Sequence, residues 1–385
     1  MSFKNFLKVL AVAALMLPVA GKSQDMPASP VTETDVSVVY FCREITPQNI
    51  LRLYEAMNVD LKGKVALKVH FGERGNENFL DPELLRPLAD KVNPTFVETN
   101  VLYVSDRRFT DKHIALAKEH GFTFAPIDIL DDKGEKSFSA EGMGLNHFAS
   151  VKGGAALEDY DSYIIYSHFK GHGSAGFGGA IKNIGMGLAS PGGKMAIHAN
   201  ATPKVNNPSQ CFHCNRCVQQ CPAVAISVDD HGPVIDTTKC IGCAKCIAEC
   251  PKKLFSPDNS NYSETVFLEK LVEYTKVLTS VRPMVYINVM ANISEVCDCA
   301  ARAPKPFLAD IGAVASTDIV AIDHACHDLV AAAQGQTEAF RAKNGVAALH
   351  QLEYAEKLNL GHNKYVLVDI ETGERISIEQ AVKQK

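Results

Sequence analysis

Eight of the twelve cysteines fall in two copies of one pattern, twenty-nine residues apart. The first copy is Cys211-x2-Cys214-x2-Cys217-x3-Cys221-Pro222, and the second is Cys240-x2-Cys243-x2-Cys246-x3-Cys250-Pro251. Three thiolates on so short a loop converge on one centre, while the fourth is carried past the turn. Pro222 and Pro251 offer no amide hydrogen and turn the chain away after that fourth ligand. Between the copies, Ala225–Val228 and Pro233–Ile235 flank Asp229-Asp230-His231-Gly232 and predict a short hairpin.

The doubled run resembles that of bacterial two-cluster ferredoxins, in which the fourth cysteine of each copy ligates the other cluster. The resemblance implies two [4Fe-4S] clusters. One would be held by Cys211, Cys214, Cys217 and Cys250, the other by Cys240, Cys243, Cys246 and Cys221. Val218, Ile226, Val234, Ile241 and Ile247 are expected to shield them from water. Four-cysteine zinc sites use two C-x2-C pairs per metal instead of triplets with a displaced fourth ligand. A disulfide framework does not account for two matched runs with small or polar spacers.

With 385 residues, 46% of them hydrophobic, the chain has ample length for a host fold around this segment. Its net charge of −5 and lack of a long basic run leave no electrostatic footprint for nucleic acid. Residues 208–257 carry five basic and four acidic side chains, a balance suited to an internal relay more than to a free acidic carrier. Lys4 and Lys8, the apolar run Val9–Ala20, and the small residues Gly21 and Ser23 have the layout of a secretory signal peptide. The run is too short to span a bilayer comfortably, so no integral membrane span is expected in the mature chain. The chain is therefore read as exported to the periplasm. Clusters are normally installed in the cytoplasm, and this leader has no arginine for a twin-arginine route.

Outside the cysteine runs, short β-branched segments alternate with helical ones. Strands are expected at 36–41, 64–69, 95–98, 124–129, 162–166 and 285–289; helices are expected at 82–92, 106–120, 179–188, 263–278 and 317–332. This alternation predicts an α/β fold with a mostly parallel sheet flanked by helices, carrying a small inserted α+β two-cluster ferredoxin-like domain. The expected division is a signal peptide (1–23), a linker (24–34), a host domain in two parts (35–205 and 259–385) and the ferredoxin-like insert (206–258).

Ligands of such sheets bind beyond the carboxyl ends of the strands, where polar residues gather here. His70 follows one strand and His168 follows another, opening a glycine-dense stretch with Lys170, His172, Lys182 and Asn183. Helix-start amides beside Lys170 and Lys182 would suit a phosphate or a carboxylate, although neither a P-loop nor GxGxxG is present. The glycines argue against a metal-binding helix built on His168 and His172. Cys297-Asp298-Cys299 offers a redox-active thiol pair or two ligands for an additional metal. Cys326 falls on an apolar helix face and reads as core, Cys42 has no assigned role, and Asp323 with His327 reads as an ordinary surface pair.

Lys68–Glu73, Gly178–Gly187, Cys297–Cys299 and Asp310–Gly312 through Asp323 together resemble the family called domain of unknown function 362. Ile319 stands where that pattern has proline after the helix-starting Asp318. The resemblance implies the architecture and names no reaction. The resulting expectation is an iron–sulfur redox protein whose clusters transfer electrons to or from a host-domain site. Catalytic candidates are His70, His168, Lys182, Cys297 and Cys299, acting on a small anionic substrate with an electron donor or acceptor protein as partner. The alternatives are a ligand- or metal-binding protein with structural clusters and a plain electron carrier.

Overall fold

Strand Ser162–His168 is buried at every position, and its alternate side chains enter two different cores. Tyr163 and Ile165 join Phe267, Leu271, Ile181 and Ile322 on one face. Ile164 and Tyr166 join Ile50, Leu53, Leu88 and Ala117 on the other. A strand covered on both faces must sit inside a sheet sandwiched by helices. The computed structural model describes residues 36–383 apart from 104, 199–201, 259 and 261; the expected signal peptide and linker lie outside the described residues.

The sheet has nine strands, in the order Arg375–Ile376, Tyr365–Asp369, Ser37–Cys42, Gly312–Ser316, Met284–Met290, Ser162–His168, Val65–Lys68, Thr95–Glu98 and Ile127–Ile129. From Met284–Met290 to the Ile127–Ile129 edge every pairing is parallel. Gly312–Ser316 runs antiparallel to both of its neighbours. The fold is thus a mixed, mostly parallel α/β sheet with helices on both faces. The expected strands and helices all occur, within a few residues of their predicted ends.

Gly312–Ser316 escapes the sequence reading because Gly-Ala-Val-Ala-Ser lacks a β-branched run. Its small residues answer a spatial demand. Gly312 sits at φ +146°, and a Cβ there would lie 2.2 Å from the Cys42 carbonyl oxygen. The helix Ile319–Gln334 begins without the expected proline because Asp318 accepts hydrogen bonds from the amides of Val320 and Ala321.

The cysteine-rich segment leaves and rejoins the host through antiparallel strands Pro203–Val205 and Phe255–Pro257. It contains the predicted hairpin, Ile226–Asp229 with Gly232–Ile235, and short helices Arg216–Gln219 and Lys245–Glu249. The sequence repeat is also a backbone repeat. Left-handed conformations at His213, Asn215 and Val224 recur twenty-nine residues later at Gly242, Ala244 and Lys253. The amides of Ala225 and Leu254, likewise twenty-nine apart, donate to the sulfurs of Cys221 and Cys250 at 3.2 and 3.4 Å.

Candidate active site

Parallel register brings the carboxyl ends of three strands to one edge of the sheet: Lys68 pairs with Ile165, Glu98 ends the next strand, and His168 pairs with Val289. The loops that follow enclose a cavity of about 350 Å³ lined by five basic side chains, Lys68, Arg107, Lys170, Lys182 and Lys194, and one carboxylate, Glu98. His70, His168, Lys182, Cys297 and Cys299 all line it, so the structure gathers the predicted site residues around one space. Asn183 and His172 line it as well.

One end of the cavity is a buried ion network centred on Glu98. Arg107 Nη2 donates to Glu98 Oε1 at 2.9 Å, Lys68 Nζ lies 3.4 Å from Oε2, and the Thr99 amide donates to Oε2 at 2.9 Å. Burial works against the Glu98 charge, but Lys68 and Arg107 outweigh it and hold the carboxyl well below its ordinary range. Burial lowers Lys68 to about 8, with Glu98 opposing. Lys194 donates to Thr99 Oγ1, the Asn100 carbonyl and the Ala189 carbonyl, all uncharged acceptors, and burial brings it down to about 7.

His70 receives the Gly72 amide at Nδ1, while Nε2 faces Arg107 Nη1 at 3.1 Å. Burial and then the Arg107 guanidinium hold it well below the ordinary histidine value, so it stays neutral. Glu98, Arg107 and Lys194 were not among the sequence candidates. Glu98 could have been read as a strand-terminal carboxylate, whereas Arg107 lies in a short 3-10 turn with no periodic signal.

The other end is organised by Asp298. Its carboxylate takes His168 Nδ1 at 2.8 Å and Lys170 Nζ at 3.1 Å, and the Ala300 amide closes the turn onto the Cys297 carbonyl at 2.9 Å. His168 thereby gains the partner its sequence neighbourhood did not reveal, and its Nε2 is held by the Ala291 carbonyl at 2.6 Å. With both ring nitrogens engaged, His168 is placed to orient the Cys297–Cys299 turn.

Lys182 Nζ and the Cys299 amide each donate to Cys297 Sγ at 3.4 Å. The hydrogen bond from the Cys299 thiol, with the charge of Lys182 and against the opposing effect of burial, lowers Cys297 well below the ordinary thiol value; the same thiol hydrogen bond, with burial, raises Cys299. His172 joins them, so that its ring nitrogen and the two sulfurs lie within 4.8 Å of one another, three atoms of metal-ligating type. The glycine-dense stretch forms a hairpin, Lys170–His172 with Gly176–Gly178, and not the helix the glycines argued against, which is how His172 reaches the pair.

The helix-start amides predicted to hold a ligand anion are already occupied. Asp323, fully buried, accepts the amides of Ala180 and Ile181 at 2.7 and 2.9 Å and the side-chain amide of Asn288 at 2.7 Å. A Cβ on Gly179 would lie 2.3 Å from the Asp323 carboxylate, so glycine is required for this approach. This corrects the surface-pair reading of Asp323. His327 is buried too, accepting the Ala339 amide at Nε2. Cys326 is core, as expected, and Cys42 is buried at its strand end.

The eight clustered cysteines form two sets. Cys211, Cys214, Cys217 and Cys250 line one small hollow; Cys221, Cys240, Cys243 and Cys246 line another. All twelve cysteines are free of disulfides. Four thiols around each hollow, with backbone amides aimed at the sulfurs, fit the donor set of a [4Fe-4S] cubane. The apolar cover differs from expectation: Ile226 and Ile247 are buried, but Val234 and Ile241 stand 48% and 50% exposed. Leu102 and Met195 from the host supply the missing cover, packing with Cys217, Cys246, Leu254 and Phe255. Leu102 also lines the substrate-sized cavity, as do Lys194 and His198 from the helix that carries Met195.

These features define an α/β protein with a cation-lined, thiol-bearing cavity at its strand ends and a cysteine-rich segment packed behind the cavity wall. Residues 65–328 match the family described as Domain of unknown function (DUF362), and the chain belongs to that family. Among solved structures, it is similar to the lactate racemase apoprotein from Thermoanaerobacterium thermosaccharolyticum, at 11% identity and a TM-score of 0.35, covering 75% of this chain and 56% of that one. A Thermotoga maritima protein is similar at 11% identity and a TM-score of 0.32, with 63% and 49% covered. The chain thus spans about half the length of each of these structures. No curated protein matches it. Among the described residues, no helix is long and apolar enough to cross a membrane.

Proposed function

We propose that this chain is an iron–sulfur redox protein in which the two cysteine sets hold [4Fe-4S] clusters and the host cavity holds a small anionic substrate. When bound, such clusters supply single-electron transfer. The observation that carries the reading is the position of Leu102, which belongs to the buried apolar cluster containing Cys217 and Cys246 and also lines the cavity. The cysteine-rich segment and the cavity therefore share a residue of their common wall.

In the cavity, Lys182 and Lys170 present cations beside the Cys297–Cys299 turn, His70 stays a neutral imidazole, and Asp298 with His168 fixes the turn. The excess of basic lining favours a negatively charged substrate, and about 350 Å³ limits it to a small one. An external protein would deliver or remove electrons at the cysteine-rich segment. The leader reading puts this chemistry in the periplasm.

Anaerobic purification from fractionated cells, with iron and sulfide counts and EPR before and after dithionite, tests the proposal. The expected result is about eight irons per chain, two cubanes of four, and signals that change on reduction. Full iron content with signals that respond to neither reductant nor oxidant would turn the reading to structural clusters in a ligand- or metal-binding protein.

A further inference from the structure

We propose that Cys297 and Cys299 form a dithiol–disulfide couple that reduces small, negatively charged disulfides, with Cys297 as the attacking sulfur and Cys299 as the resolving one. The inference rests on the cavity being the substrate site and goes beyond that reading by naming the substrate class.

The turn is built to present both sulfurs together. Asp298, between them, is tied to His168 and Lys170 and is 1% exposed, while both flanking cysteines line the cavity. As first and third residues of a turn closed by the Ala300 amide, they have backbones close enough for a disulfide, and their sulfurs already lie within 4.8 Å. Lys182 Nζ and the Cys299 amide both donate to Cys297 Sγ, an arrangement that stabilises a thiolate there. Cys297 is only 3% exposed yet lines the cavity, so a ligand bound there meets it.

The same geometry disfavours a resident metal. Nδ1 of His172 accepts the amides of Ser174 and Ala175 at 3.2 and 3.0 Å, which leaves the ring proton on Nε2. The Lys182 ammonium, 3.4 Å from Cys297 Sγ, occupies the charge position a cation would need.

The chemistry balances without an oxygen species. The Cys297 thiolate attacks one sulfur of RS–SR, forming a Cys297–S–S–R bond and releasing RS⁻ toward Lys182 and Lys170. Cys299 then loses its proton to solvent or to a released thiolate and attacks Cys297 Sγ. That step forms the internal disulfide and releases the second RS⁻. In sum, one protein thiolate, one protein thiol and RS–SR give the protein disulfide, one RS⁻ and one RSH. An external dithiol, or two one-electron donors in succession with one proton, restores the starting pair of thiolate and thiol.

The test uses the anaerobically purified full chain and two probes of opposite charge, 3,3′-dithiodipropionate and cystamine. The tryptic peptide ending at Arg302 contains both cysteines and no other, so its mass reports this pair alone. The dianion is expected to convert it to the internal disulfide at least about tenfold faster than the dication, reversibly with dithiothreitol. Cys299→Ser should stop at a mixed disulfide on Cys297. The proposal is overturned if the wild-type peptide stays reduced, if both probes react equally, or if the pair binds one zinc per chain and is thereby blocked. Because the readout is a peptide mass, it can fail while the iron and EPR results stand, or succeed while they fail.

Discussion

The ammonium of Lys182 stands 3.4 Å from the sulfur of Cys297, a contact between residues 115 positions apart. Each group alters the other. After the hydrogen bond from Cys299, Lys182 is the main attractive influence lowering the Cys297 thiol. Burial would lower Lys182, but the two cysteines outweigh it and raise the amine.

Replacing Lys182 by methionine keeps the bulk and removes the charge. The Cys297 thiol should then titrate higher, and alkylation of the peptide ending at Arg302 at pH 7 should slow about tenfold, one unit of thiol pKa. Rates measured across pH by mass spectrometry would show the rightward shift; an unchanged profile would show that Lys182 does not govern this sulfur.

Asp323→Asn puts an amide where two backbone N–H groups and Asn288 require an acceptor. Leaving buried donors partly unpaired should cost about 2–4 kcal/mol, seen as a lower thermal midpoint. Gly179→Ala should be destabilising for the related reason that its methyl would displace the same carboxylate.

The pairing of the cysteine sets makes Cys250→Ser diagnostic. Cys250 lines the hollow of Cys211, Cys214 and Cys217, although it follows Cys246 in sequence. The variant should lose about four irons and expose Cys211, Cys214 and Cys217 to alkylation, while Cys221, Cys240, Cys243 and Cys246 stay protected. Protection of Cys211, Cys214, Cys217 and Cys221 would instead show that each run ligates its own cluster.

Lys194 gives a signed pH dependence. Burial lowers it from 10.5 to about 7. Between those values the unfolded chain binds the extra proton, so stability rises with pH through that window. Lys194→Met lacks the effect, whereas the shift of Lys68 is common to both proteins. Wild-type stability relative to the variant should therefore climb from pH 7 to pH 10 by about 2–4 kcal/mol. Thermal midpoints of the two proteins across that range check the direction.

Local signals account for what was legible. The β-branched strands around Ser162–His168, the helices facing them and the hairpin inside the cysteine-rich segment follow from periodicity and turn residues. Gly312–Ser316 does not, because its smallness answers to the neighbouring Cys42 carbonyl and not to its own preference. The helix at Pro191–His198 was likewise missed, since Pro-Gly-Gly reads as a turn until Lys194 and Met195 are given something to pack against.

The sequence by itself determined which atoms can bind metal and where charge is available: eight cysteines at matched spacing, a Cys-Asp-Cys turn, and lysines after strand ends. Only the tertiary structure decided what those groups face. It directed Asp323 into the amides meant for a ligand, brought His172 to the thiol pair, tied His168 to Asp298, and set Leu102 between the cysteines and the cavity. The physical reason is range. Spacing and periodicity act over a few residues, whereas burial, charge pairing and the two sides of a wall depend on contacts between residues more than a hundred positions apart, which the parallel register of the sheet creates.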